Sequence, residues 1–338
     1  MRVLIIKTSS MGDVIHTLPA LTDAGKIIPD IEFDWVIEEN FAEIPAWHPR
    51  VKKIFPVALR RWRKNIFSAA TRKEWLRFYR ELSGQKYDFI IDAQGLLKSA
   101  WLTFLAKGVR CGGDWNSARE ALASLFYQRK CIVSQNQHAV VRMRSLFSQV
   151  LGYEIPQQEV DYGIDRRVFS HSAAKENYVI FLHGTTWDTK HWPEEYWIEL
   201  GKKINEKGYT IKLPWSNDLE KERVQRIAEQ CEKTEILSKL DLASIAALLA
   251  GAKAIVAVDT GLGHLAAALN VPTISLFGPT NPVLTGALGK SQIHLTATFP
   301  CSPCLSRQCK FPSSEIPYPP CFSTLMPAVV WEKLVKLL

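Results

Sequence analysis

Short apolar runs alternate with helical patterns along almost the whole chain, and this alternation leaves few folds open. The run Ala254-Ile255-Val256-Ala257-Val258 is small or β-branched at every position, as in a strand covered on both faces. It breaks at Asp259, passes through Thr260-Gly261-Leu262-Gly263 and resumes as His264-Leu265-Ala266-Ala267-Ala268-Leu269, a good helix former. Strands are also predicted at 2–7, 33–38, 51–57, 87–92, 178–182, 209–215, 235–237 and 273–277. Helices are predicted at 14–28 with a kink at Pro19, at 69–82, through Trp101 and Leu105, and at 138–151. Further helices follow from Pro193 to Gly208, from Asp218 to Cys231, from Asp241 to Gly251 and over 328–338. Strands alternating with helices imply an α/β chain with parallel sheets. A length of 338 residues suits two domains, placed at 1–160 and 170–325, with 326–338 as a helix packing back on the body. The linker is placed in 157–172, which is polar and lacks a clear period.

In such sheets ligands gather where strands end and loops begin. After the strand at 254–258, the glycine turn presents free backbone N–H groups and the positive end of a helix dipole, a ready phosphate site. There Asp259 is a hydrogen-bond acceptor for a ligand and His264 a donor to an anion; the plainer reading is a strand-to-helix turn with an Asx cap. After 178–182, Thr185, Thr186 and Lys190 offer two hydroxyls and an ammonium, chemistry suited to a pyrophosphate. After 2–7, Asp13 enters a helix either as an N-cap, contributing about 1 kcal/mol, or as a general base facing a cleft. Asp92-Ala93-Gln94-Gly95 is another polar strand end. Arg60, Arg61, Arg63 and Lys64 surround Trp62, either as a clamp for a polyanion or as a solvated basic loop. Trp115 and Arg119 fall at a loop-to-helix junction. The stripe Trp75, Phe78, Tyr79, Leu82 reads as core packing, with a membrane surface as the alternative.

The formal net charge of +8 points to an acidic partner, but no block of six like charges and no nucleic-acid signature occurs. The N-terminal apolar run is too short for a signal peptide, and the apolar region 242–258 is interrupted by Ser244, Gly251 and Lys253. Seven cysteines, an odd number, favour a reduced cytosolic setting. Four of them, Cys301, Cys304, Cys309 and Cys321, lie in a Pro- and Ser-rich segment. They are a metal candidate, yet their spacing matches no zinc ribbon or finger, and a reduced, redox-sensitive loop is the preferred reading. The absence of G-x-G-x-x-G argues against a nicotinamide oxidoreductase.

In order along the chain, Lys7-Thr8-Ser9-Ser10-Met11-Gly12-Asp13-Val14, Arg60-Arg61-Trp62-Arg63-Lys64, Asp92-Ala93-Gln94-Gly95, Lys190-His191-Trp192-Pro193-Glu194-Glu195 and Asp259-Thr260-Gly261-Leu262-Gly263-His264 resemble the lipopolysaccharide heptosyltransferases, the ADP-heptose-dependent glycosyltransferases of family 9. The resemblance implies a GT-B fold, with two Rossmann-like domains facing across a cleft. It implies inverting transfer of L-glycero-D-manno-heptose from ADP-heptose to the inner Kdo of Kdo2-lipid A, without a cofactor. Carried over by position, Asp13 resembles the catalytic base and Lys190 a stabiliser of the leaving group. Thr185, Thr186, Lys190, Glu220, Leu240, Asp259, Thr260, Gly261 and His264 match donor positions. Arg60, Arg61, Arg63, Lys64, Trp115 and Arg119 match the acceptor side. A monomer at the cytoplasmic face of the bacterial inner membrane, peripheral to its anionic surface, is expected. Gly263 stands where a Ser is familiar, Trp187 where a basic residue is, and the cysteine-rich tail departs from better-known members of the subgroup. The alternatives are heptosyltransferase II or another ADP-sugar transferase of the same fold, and a non-catalytic nucleotide-sugar-binding protein.

Overall fold

The apolar runs of the first half pair into one sheet and those of the second half into another. The computed structural model describes residues 1–169, 177–311 and 318–338. The described chain divides into two compact units, Met1–Ile164 and Asp165–Leu338. The first residues of the predicted second domain, 170–176, and part of the predicted linker lie outside the described residues, as does 312–317 of the cysteine-rich segment.

In the first unit the strands are β1 (Arg2–Ile6), β2 (Glu32–Glu38), β3 (Val51–Val57), β4 (Lys86–Asp92), β5 (Lys107–Gly113) and β6 (Arg129–Cys131). In the second they are β7 (Tyr178–Leu182), β8 (Thr210–Leu213), β9 (Thr234–Ile236), β10 (Ala254–Val258), β11 (Thr273–Phe277) and β12 (Gln292–Thr296). The sheet orders are β3-β2-β1-β4-β5-β6 and β12-β11-β10-β7-β8-β9, and every pairing is parallel. Counted from its own first strand, each sheet therefore runs 3-2-1-4-5-6, the doubly wound nucleotide-fold order. That order reverses direction between β1 and β4 in one sheet, and between β7 and β10 in the other. The carboxyl ends of those four strands are where a ligand crevice forms.

The central strands were predicted because both of their faces are covered. All five residues of β7, β10 and β11 are buried. Three strands escaped the sequence pattern. β5 (KGVRCGG) and β6 (RKC) carry glycines and charges, and β12 (QIHLT) is a half-buried edge strand. The predicted single helix over 14–28 is two helices, Met11–Ile15 and Leu18–Ile27. Pro19 lies in the first turn of the second, where its missing N–H breaks no helical bond, so it starts a helix instead of kinking one. The basic segment is a short helix, Leu59–Lys64, with Trp62 buried beneath it. In the helix Ala69–Ser83, Phe78 and Leu82 enter the core, Trp75 packs at its margin, and Tyr79, predicted on the same face, is exposed.

Each unit has its own core. In the first, Leu4, Ile6, Val36, Phe55, Phe78 and Ile90 pack together, while Phe147 from the helix Ala139–Leu151 meets Phe33, ring centroids 6.1 Å apart. In the second, Phe181, Trp192 and Trp197 form an aromatic cluster with centroid distances of 4.7 and 4.9 Å. The C-terminal helix Pro327–Leu334 places Val330 and Leu334 in the same core.

Candidate active site

At the switch point of the first sheet, the loop after β1 is held by the loop after β4. Gln94 Oε1 accepts from the N–H groups of Thr8 and Ser9 at 3.1 and 3.2 Å. Lys7 Nζ donates to Ala93 O at 2.8 Å. Asp92, nearly inaccessible, organises the β4 loop by accepting from Gln94 N, Gly95 N, Ser99 Oγ and Tyr127 OH at 2.6–3.0 Å. Burial nonetheless raises its pKa, against the lowering effect of those bonds. Gly95 has φ +67°, and a Cβ there would stand 3.1 Å from Arg119 N, so the turn requires glycine.

This clamp fixes Asp13. The N-cap of its helix is Ser10, and Asp13, third in that helix, reaches back to accept from Ser10 N and Oγ, both at 3.0 Å. The N-cap reading is thus corrected: Asp13 is the acidic partner of a capping box. Burial pushes its pKa up, but the positive charge of Lys7, the Ser10 bonds and the charge of His16 outweigh it and hold the carboxyl at about 2. Around it stand cations. Burial lowers the pKa of Lys7, opposed by the charges of Asp13 and Asp92, and Arg119 and Arg142 act on Lys7 in the same lowering direction. Arg142, from the helix Ala139–Leu151, is also lowered, first by burial, and its buried Nε has no hydrogen-bond partner among the described residues. Arg142 was not recognised in the sequence; it sits in no motif, and only the fold carries it to the end of β1.

The other acceptor-side candidates are arranged unevenly. Arg61 is held by Glu39 at 3.0 Å and Glu74 at 2.9 Å, and Trp62 Nε1 donates to Glu74 at 2.7 Å. Arg60, Arg63 and Lys64 are exposed, with Arg60 N–H donating to Glu38 Oε1 at 3.3 Å. Trp115 is exposed, and it and Arg119 lie in the turn between β5 and a 3-10 helix, Ala121–Phe126.

At the switch point of the second sheet, the loops after β7 and β10 meet. Lys190 Nζ lies 2.7 Å from Asp259 Oδ2, both largely buried. His264 Nε2, in the first turn of the helix Gly261–Ala268, stands 4.0 Å from Asp259 Oδ1. Thr260 is the N-cap of that helix, so Asp259 is its counter-charge holder and not its cap. Thr185 Oγ1 donates to Asp259 O at 3.4 Å, and Thr186 is exposed beside it. Glu220 comes from the helix Asp218–Ala228 after β8, accepting from Ser216 N and Oγ at 2.7 Å. A Cβ on Gly184 would lie 2.6 Å from Glu220 Oε1, so glycine there lets this carboxylate approach the β7 loop. Leu240 is half-buried in the loop after β9. The predicted donor positions therefore all lie in loops, or in the first turns of the helices that follow them, at the carboxyl edge of one sheet, and Lys190, Asp259, Thr185 and His264 are in one cluster.

His183 opens the β7 loop fully buried; burial lowers its pKa to about 4, and Nε2 faces Pro214 O at 3.2 Å. Cys301, Cys304, Cys309 and Cys321 line one small pocket with Thr189 and Pro279. Among the described residues no group of three or more His, Cys, Asp or Glu side chains is disposed to hold a metal ion. Among them, too, no helix is long and apolar enough to cross a membrane.

Residues 75–314 match the model of glycosyltransferase family 9 (heptosyltransferase). The chain is 54% identical over 348 aligned residues to lipopolysaccharide heptosyltransferase 1 of Pseudomonas aeruginosa, covering 100% of this chain and 98% of that one. Its structure is similar to that of Escherichia coli heptosyltransferase WaaC with ADP, with a TM-score of 0.90, 48% identity and 100% of both chains covered. It is similar also to the same enzyme with ADP-2-deoxy-2-fluoro heptose, with a TM-score of 0.86, 48% identity and 99% of each chain covered.

Proposed function

We propose, from the premise that the chain belongs to glycosyltransferase family 9 and is a heptosyltransferase of lipopolysaccharide core synthesis, that it moves L-glycero-D-manno-heptose from ADP-heptose to the inner Kdo of Kdo2-lipid A with inversion at the anomeric carbon. The observation that carries this reading is the opposite chemistry of the two switch points: an ionised carboxylate ringed by cations after β1, and, in the second unit, a lysine after β7 with a histidine and a helix N-terminus after β10. The relatives solved with ADP and with a fluorinated ADP-heptose support the donor assignment.

In this mechanism the acceptor hydroxyl attacks the anomeric carbon in a single displacement as Asp13 takes its proton, an effect of about 10²–10⁴ in rate. Arg119, Arg142 and the exposed cations of 60–64 hold the acidic acceptor, and the neutralisation of their charge by its carboxylates raises the proton affinity of Asp13 at the moment it is needed. Lys190 and the N–H groups at Gly261–Ala268 stabilise the departing ADP, and Thr185, Thr186, Glu220 and Leu240 position the nucleotide. A lipid acceptor and a net charge of +8 support the reading of a peripheral protein on the anionic cytoplasmic face of the inner membrane. The test is mass spectrometry of Kdo2-lipid A incubated with ADP-heptose and the purified protein. One added heptose is expected; modification only of an acceptor that already carries a heptose would assign the second transfer step instead.

A further inference from the structure

Two cations lie over the ring of Trp187: Lys190 Nζ at 4.4 Å from the centroid and Arg307 Cζ at 5.2 Å. Arg307 belongs to the cysteine-bearing loop, remote in sequence from the β7 loop, yet the two are joined. Thr189 Oγ1 donates to Ser306 O at 2.7 Å. Leu305 N–H donates to Pro279 O at 2.8 Å, and Ser302 Oγ donates to Gly278 O. Gly278 and Pro279 follow β11 directly, so the 301–309 loop is fastened to two loops at the same strand ends that carry Lys190 and Asp259.

The charge balance there is incomplete for a diphosphate. Lys190 is already matched by Asp259 at 2.7 Å, so the pair brings little net positive charge. A nucleoside diphosphate carries more than one negative charge, and a helix N-terminus supplies only about half a charge in compensation. A guanidinium is the side chain whose forked donors match phosphate oxygens, and an indole face restrains its plane. Arg307 has that chemistry against the residue three before Lys190.

We propose that Arg307 is a diphosphate-binding residue of the donor site, delivered by the 301–309 loop and oriented by Trp187. The proposal rests on the donor reading given above, and the experiment separates the two. Calorimetric binding of ADP and of AMP is measured for the wild type, Arg307→Gln, Arg307→Lys and Lys190→Ala. Arg307→Gln is expected to weaken ADP about tenfold or more while AMP changes much less, and Arg307→Lys to recover part of the loss. If Arg307→Gln leaves ADP affinity unchanged while Lys190→Ala weakens it, the donor reading stands and the Arg307 proposal is overturned. Equal losses for ADP and AMP would make Arg307 a support of the loop only, and also overturn it. If ADP affinity is indifferent to Lys190→Ala, the donor reading itself fails.

Discussion

Asp13 is ionised at any working pH, because Lys7 and the Ser10 bonds outweigh the penalty of its burial. Asp13→Asn keeps a side chain able to meet Ser10 but cannot accept a proton, so kcat should fall about 10²-fold or more while ADP binds as before. Near-normal turnover in that variant would remove Asp13 from the mechanism. The depressed pKa also sets the pH profile: the ionised form persists down to about 2, so kcat/KM should show no acid limb from this group between pH 4 and 7. A limb there that vanishes in Asp13→Asn would show that Asp13 titrates well above 2, against the depressed pKa. Gly184→Ala tests the other unit. Its Cβ would displace the Glu220 carboxylate, a flexible group, so the protein should fold with an almost unchanged Tm. KM for the donor should rise several-fold while kcat changes less, and an unaltered KM would show that Glu220 contributes nothing to donor binding. Single residues were legible to different degrees. Asp259, Lys190 and His264 carry local signals, being polar residues at the ends of apolar runs. Arg142 carries none, and the Ser10–Asp13 capping box was missed because the helix starts at Met11, three residues before the apolar pattern that begins at Val14.

Among the elements, the helix Gly261–Ala268 and the clamp between the β1 and β4 loops are the most exposed to experiment. A Cβ on Gly263 meets Ala257 Cβ at 3.5 Å and other atoms at 3.9 Å, ordinary contacts, and the position has no positive φ. Gly263→Ala should therefore stabilise the protein by about 0.5–1 kcal/mol, read as a higher Tm, and a lower Tm would mean the helix start is tighter than its geometry. Gln94→Ala should act in the opposite sense. It strands two buried N–H groups, a cost of about 1–3 kcal/mol each, and frees the loop that aims Asp13, so stability and kcat should fall together. Elements buried on both faces, such as β7 and β10, announce themselves as apolar runs, whereas β5, β6 and β12 are held by pairing with a neighbour already in place. No period of their own marks them. The break between Met11–Ile15 and Leu18–Ile27 was hidden because Val14, Ile15, Leu18 and Leu21 keep helical spacing across the polar pair His16-Thr17.

For the molecule as a whole, the strand alternation was sufficient for the α/β class, but the order 3-2-1-4-5-6 in both sheets came only from the structure, since pairing is a long-range choice. Each unit also buries a histidine that stays neutral: His48 in the first and His183 in the second, both lowered by burial to about 4 from 6.5. Because the unfolded chain takes up these protons first, stability should be full above about pH 6.5 and decline as pH falls toward 4. The loss is on the order of 3 kcal/mol for each site. Melting followed from pH 7 to pH 4 should show this decline, reduced in His48→Gln or His183→Gln; a flat curve would mean the histidines are solvated. Two sheets of one design, each with its own core and its own reversal of strand order, suit the proposed split of a bimolecular reaction into an acceptor task and a donor task. Under the proposed division of labour, remodelling the turns behind β1, β4 and β5 redirects the sugar to a new recipient while the nucleotide machinery goes on unaltered. On that plan, editing one half of the polypeptide would be enough to change the product.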